Sequence, residues 1–331
     1  MSKCFLTTVL LLAAISISTF YFLNSQNLLH SLKTYQYSKF YEQIVKNQQN
    51  LDNLIKKTMD EAEIKGKSLI PAFIDFDREY AIAPYYNLSI CRIKKSMSTL
   101  MSGISCVLYD TDDFFKNNRS ILEVWSRRYC ADKNEYRRLN EVKWTMGAAH
   151  HTFSKIVVIR NPISRFISFF SNKCIFEAKK YPLRKQCYNC RGNITCFLIN
   201  QYNRFLIHSS GKSLLKPSYE DRHAAPLSWN CEFRKHFNDY KIAKLSADPE
   251  KRHDGIDQLL EYFRESNVPN DTLSYIRKAA LEGETKHATF DSAAHDKVQD
   301  QIDKDPVIRD YLRRIYLLDF LIFKFDHTIL K

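Results

Sequence analysis

Lys155 to Cys174 reads KIVVIRNPISRFISFFSNKC, and the fold turns on this stretch. Ile156, Val157, Val158 and Ile159 form an unbroken apolar run, as expected of a strand buried on both faces. Arg160-Asn161-Pro162 follows. Proline fixes φ and donates no backbone hydrogen bond, so it can end a strand and open a helix at its first position. Downstream, Phe166, Ile167, Phe169 and Phe170 predict a helix with a broad apolar face. Arg165, Ser168 and Asn172 or Lys173 then fall three or four residues apart along one side. A guanidinium, a hydroxyl and a helix N-terminus meeting at one corner suit a phosphate. Corners of this kind also occur without any ligand, so spacing alone leaves both readings open.

A second corner precedes the first. Residues 87–93 read as a short strand, Lys94-Lys95-Ser96-Met97-Ser98-Thr99 as a loop, and Leu100, Met101, Ile104, Val107 and Leu108 show helical spacing. Backbone N–H groups at a helix start, with hydroxyls and an ammonium, make an anion cradle. No G-x-x-x-x-G-K-[ST] is present, so the loop is not of the ATP-binding type.

A chain of 331 residues with 44% hydrophobic content can bury a sizeable core. Its seven glycines argue against glycine-rich nucleotide loops, and a net charge of +13 predicts anionic partners. Neither a zinc-finger nor an RNA-binding signature occurs, so nucleic acid is not expected. Phe5 to Leu23 is 19 residues without a charge, long enough to span a bilayer. A signal-anchor is preferred on length, with a cleaved signal peptide as the alternative. The reading is a short cytoplasmic tail over 1–4, a membrane helix over 5–23, a polar helical stem over 24–67 and a lumenal body over 68–331. Two features agree with a lumenal address: N-x-S/T at Asn87, Asn118, Asn193 and Asn270, and an even number of cysteines in the body. Among these, Cys187-x-x-Cys190 lacks the second pair that a zinc site needs. Disulfides are expected instead, with Cys231 as a candidate partner for the group Cys187, Cys190 and Cys196.

Arg160-x-Pro162-x-x-Arg165-x-x-Ser168 after an apolar strand resembles the 3′-phosphate-binding segment of sulfotransferases that use 3′-phosphoadenosine 5′-phosphosulfate (PAPS). More narrowly it resembles the Golgi carbohydrate sulfotransferases of the chondroitin and dermatan type, in which an acid usually stands where Asn161 does. Lys95-Ser96-x-Ser98-Thr99 resembles their K-[ST]-G-T-T loop for the 5′-phosphosulfate, with Met97 in place of the usual glycine and Leu100 in place of tryptophan. Asp221-Arg222-His223-x-x-Pro226-x-x-Trp229-x-Cys231 is similar to the H-x-x-P region on the acceptor side. The stretch Ile315 to Phe323 is similar to the closing Y-x-x-D-F-x-x-F segment, read here as an amphipathic helix running onto a core-filling strand.

The resemblance implies an α/β, P-loop-like fold with a parallel central sheet flanked by helices, and Lys95 and Arg160 at the ends of neighbouring strands. It implies PAPS as co-substrate, held by Lys95, Ser96, Ser98, Thr99, Arg160, Arg165 and Ser168, with no metal. Lys95 is expected to assist the leaving oxygen. Relatives use a histidine or a glutamate as base, which makes His223 the first candidate and His150, His151 and Glu141 the others. The implied acceptor is a glycan, most closely a chondroitin-type N-acetylgalactosamine hydroxyl. The basic cluster Lys179, Lys180, Arg184 and Lys185 could track its carboxylates. Two rival readings stand beside this. One is a lumenal glycan-binding protein with a degenerate, inactive fold, favoured by Met97 and Leu100. The other, a nucleotide kinase, is disfavoured by the missing Walker motif.

Overall fold

The computed structural model describes residues 46–147, 153–211, 214–246, 248–283 and 293–330. The expected membrane helix over 5–23, the first part of the stem, and His150 and His151 lie outside these residues. Among the described residues no helix is long and apolar enough to cross a membrane. The chain divides into two units, Met1–Lys57 and Thr58–Lys331. The described part of the first is helical. The site lies in the second.

Five strands, β1 (Tyr80–Ala83), β2 (Leu88–Cys91), β3 (Glu135–Tyr136), β4 (Ser154–Ile159) and β5 (Tyr240–Lys244), form one sheet in the order β3-β1-β2-β4-β5. β2, β4 and β5 run parallel, with Ile90 beside Ile156 and Val157 beside Ile242. β1 is antiparallel to both β2 and β3. The sheet is therefore mixed, which corrects the expectation of a parallel one. The reason is local: only residues 84–87 separate β1 from β2, and so short a connection permits a hairpin but no parallel crossover.

The helices that build the site are α1 (Ser98–Tyr109), α2 (Pro162–Phe169), α3 (Ile194–Ser209), α4 (Tyr219–Ala224), α5 (Pro249–Arg264), α6 (Asn270–Glu282) and α7 (Pro306–Ile322). β4 lies inside the sheet, and Ile156 to Ile159 are each at most 1% exposed, as the apolar run required. Ile156 and Val158 share a core with Ile104 and Val107 of α1, Leu259 and Phe263 of α5, and Ile276 of α6. Alternation along the strand turns Val157 and Ile159 the other way. A second, aromatic cluster of Phe166, Phe170, Phe197 and Tyr316 ties α2 to α3 and α7. α7 stays helical through Ile322, so the closing segment is helix and not the expected strand.

All eight cysteines of the body are paired, as Cys91–Cys231, Cys106–Cys130, Cys174–Cys187 and Cys190–Cys196. Cys231 thus does not join the Cys187 group; it staples the end of β2 to the segment beyond α4. That bond spans 140 residues of sequence, and closing so long a loop restricts the unfolded chain by about 5 kcal/mol. Replacing Cys91 and Cys231 together by serine is expected to lower stability by about 2–5 kcal/mol in denaturant titration. A loss below about 1 kcal/mol would show that the staple does not hold this region.

Candidate active site

The first corner forms where β4 meets α2. Asn161 caps the helix: its Oδ1 accepts from the backbone N–H groups of Ile163 (3.0 Å) and Ser164 (3.2 Å), and Pro162 occupies the first helical position. An amide does here what an acid would do in the same place. Arg160, immediately before the cap, is buried and makes no hydrogen bond or ion pair among the described residues; its Nε is an orphan donor. Burial, then the neighbouring Arg252 and Arg165, pulls its guanidinium down to about 10. A buried cation with other cations for neighbours calls for an anion.

Arg165 is also buried, but two of its nitrogens are already engaged. Nε donates to the Lys94 carbonyl (2.8 Å) and Nη1 to the Ala225 carbonyl (2.6 Å), while Nη2 has no partner. One guanidinium therefore ties the lysine loop to the loop after α4. Ser168 is buried one turn further along α2.

The second corner is the loop between β2 and α1. Lys95 (φ 63°) and Met97 (φ 57°) are both left-handed, a backbone arrangement that turns successive N–H groups toward one point. This geometry explains why glycine is usual where Met97 stands. Methionine adopts the conformation at a cost of about 1–2 kcal/mol, and its side chain packs against the core. Leu100, in place of the usual tryptophan, is a core residue. Ser98 and Thr99 open α1, where N–H groups lack helical partners, and the buried Ser96 hydroxyl has no partner.

The two lysines of this loop differ sharply. Lys94 is bound to Asp77 (2.7 Å) and Glu79 (2.8 Å). Lys95 makes neither a hydrogen bond nor an ion pair among the described residues. Burial, then Lys173 and Arg160, lowers its ammonium to about 7, with Glu177 opposing. An anion bound beside it must raise that value again, so binding takes up a proton. Affinity for adenosine 3′,5′-bisphosphate is then expected to be level below about pH 7 and to fall by up to tenfold per unit above it. Calorimetry in buffers of different ionisation enthalpy checks both the fall and the proton uptake. Constant affinity from pH 7 to 9 would remove Lys95 from the anion site.

His223 lies on α4, which is anchored by Asp221. The Asp221 carboxylate accepts from Ser218 N–H (2.7 Å), Gln201 (2.9 Å) and Arg204. His223 Nδ1 lies 2.7 Å from the Tyr219 carbonyl; it can only donate there, which leaves the Nε2 lone pair available in the neutral ring. Burial, then Lys94, Lys95 and Lys173, holds the ring down to about 3 against the pull of that carbonyl. The backbone beyond it is clamped from outside. Tyr316 donates to the Ala224 carbonyl (2.7 Å), Arg165 to that of Ala225, and the buried Asp319 accepts from Leu227 N–H and from Ser228 N–H (3.0 Å).

The charges of these groups act across the site. Arg160 senses Arg252 and Arg165, and His223 senses Lys94, Lys95 and Lys173. Lys95 feels charge from both Arg160 and Lys173.

Residues 78–326 match the sulfotransferase family. The chain is 63% identical over 331 residues, the whole of both chains, to carbohydrate sulfotransferase chst-1 of Caenorhabditis elegans. This chain belongs to the carbohydrate sulfotransferase family. Uncharacterized protein C18B2.2 of the same organism is 29% identical to it over 260 residues, 77% of this sulfotransferase and 71% of that protein. No solved structure matches.

The sequence of this sulfotransferase singles out neither Arg252 nor the task of Tyr316 and Asp319, which it offers only as positions of the closing Y-x-x-D-F segment. Arg252, near the start of α5, is a further cation that acts on Arg160; α5 runs close to the end of β5 because residue 255 is glycine: a Cβ there would strike the Lys244 carbonyl. Asp319 and Tyr316 act on backbone far away in sequence, although their spacing of three already placed them on one helical face. Glu141, one candidate base, is used otherwise: its carboxylate accepts from the N–H groups of Arg137 and Arg138, both at 3.0 Å.

Proposed function

We propose that the enzyme moves a sulfuryl group from PAPS to a hydroxyl of a glycan, with chondroitin-type N-acetylgalactosamine as the acceptor. One observation carries this reading: Lys95 and Arg160, buried or half-buried cations at the ends of adjacent parallel strands, have no carboxylate partner among the described residues. That is where open α/β sheets bind ligands. The orphan Arg160 Nε, Arg165 Nη2 and Ser96 Oγ fit a ligand with two separate phosphates. Arg160 and Ser168, with Arg252 nearby, would hold the 3′-phosphate. Ser96, Ser98, Thr99 and the first N–H groups of α1 would hold the 5′-phosphate.

The donor supplies an activated sulfuryl group. Transfer breaks the bond from sulfur to the 5′-phosphate oxygen, forms one to the acceptor oxygen, and leaves the electron pair on the phosphate. Lys95 neutralises that growing charge. His223 Nε2 takes the acceptor proton. Burial and, after it, Lys94, Lys95 and Lys173 hold His223 down; the donor's phosphates offset the share due to these cations, so its basicity rises when the donor is bound.

A Golgi lumenal address belongs to the same proposal, with Phe5 to Leu23 as a single-pass anchor or, alternatively, a cleaved signal. Four disulfides support an oxidising compartment. The full chain should transfer label from radiolabelled PAPS to desulfated chondroitin. Transfer should weaken as salt rises, because Lys179, Lys180, Arg184 and Lys185 are exposed and are screened within about 8 Å at physiological ionic strength. Label on another glycan alone would overturn the chondroitin assignment. Label on none of a glycosaminoglycan panel would overturn the acceptor class.

A further inference from the structure

Beyond the transfer machinery, a polar and aromatic group stands on the His223 side of the site with no task in the mechanism above. α2 continues into a π-helical segment, Phe170–Glu177, a widened turn that often marks a functional position. It carries Lys173, paired with Glu177 one turn later. The Lys173 ammonium lies 5.5 Å from the centroid of the Tyr219 ring. Tyr219 is 49% exposed, and its ring centroid is 4.0 Å from that of His223. The platform is rigid: Tyr219 opens α4, whose capping box joins Ser218 to Asp221.

Each part has a clear chemistry. A half-exposed aromatic face takes the C–H face of a pyranose ring, and the phenol and the Glu177 carboxylate can bond its hydroxyls. The ammonium carries three hydrogens, and Glu177 does not use them all. A carboxylate or sulfate is its natural further partner. The segment also runs on into the exposed cations Lys179, Lys180, Arg184 and Lys185, which extend the same sign of charge along one path.

We infer that Tyr219, Lys173 and Glu177 form the acceptor subsite, with Tyr219 as platform for the sugar that receives the sulfuryl group and Lys173 as reader of an acidic group on it or on its neighbour. The subsite selects a uronate-bearing chain over a neutral one. This rests on the transfer reaction proposed above.

Steady-state kinetics of the full chain, with PAPS as donor, test it on two acceptors: unsulfated chondroitin and a neutral oligosaccharide ending in N-acetylgalactosamine. Tyr219→Ala should raise KM for chondroitin about tenfold or more, with affinity for adenosine 3′,5′-bisphosphate within about twofold, and Tyr219→Phe should recover most of that loss. Lys173→Gln should raise KM for chondroitin about fivefold more than for the neutral acceptor. Unchanged KM in Tyr219→Ala would overturn the platform, and equal effects of Lys173→Gln on both acceptors would overturn the charge reading. Loss of bisphosphate affinity in step with KM would place these residues on the donor side and overturn the subsite. Parent protein that labels neither acceptor would instead overturn the transfer reading on which the subsite depends.

Discussion

Lys95→Ala is expected to lower kcat by about 10²–10³-fold, equivalent to about 2.7–4 kcal/mol of lost transition-state stabilisation. The affinity for intact PAPS, measured without acceptor, should fall far less. The bridging oxygen of intact PAPS carries little charge, so Lys95 adds modestly to binding of the donor before transfer. Its full charge is called on when the bridging oxygen becomes an anion, and an interaction made only then appears in kcat. Transient kinetics against calorimetry separates the two quantities. Equal losses in turnover and affinity would recast Lys95 as a phosphate anchor.

His223→Ala should reduce kcat by about 10²–10⁴-fold, the usual range for a positioned general base, with bisphosphate affinity little changed. Two features of the structure support this proposed role. The Tyr219 carbonyl fixes the tautomer through Nδ1, and Tyr316, Arg165 and Asp319 hold the following backbone at Ala224, Ala225, Leu227 and Ser228. A variant within about threefold of the parent would exclude His223 as the base. Glu177, paired with Lys173 beside it, would be the next group to examine.

The central corner was legible because its signals are local. Four apolar residues and Pro162 at a helix start lie within a few positions of one another, and each acts where the sequence places it, while the Asn161 cap appears only in the structure. The same holds for the helix after Ser98. What escaped depends on partners distant along the chain. Nothing in Lys94-Lys95 tells which lysine is engaged; Asp77 and Glu79 decide it. The resemblance offered Arg165 and Ser168 as phosphate ligands, and only the structure adds that two nitrogens of Arg165 join two loops by their carbonyls. β3 has only two residues and no pattern to read, and Cys231 finds its partner 140 positions away.

The measurement closest to the central claim is a thermodynamic cycle on Arg160 and the 3′-phosphate. Adenosine 3′,5′-bisphosphate and adenosine 5′-monophosphate differ only by that phosphate, and their affinities for the parent and for Arg160→Ala can be determined by calorimetry. A charged hydrogen bond in a buried site is worth about 1.5–3 kcal/mol. The parent should therefore prefer the bisphosphate by about tenfold or more, and Arg160→Ala should lose most of that preference while binding the monophosphate as before. If Arg160→Ala keeps the full preference, the 3′-phosphate is held elsewhere and the corner after β4 is not the nucleotide site.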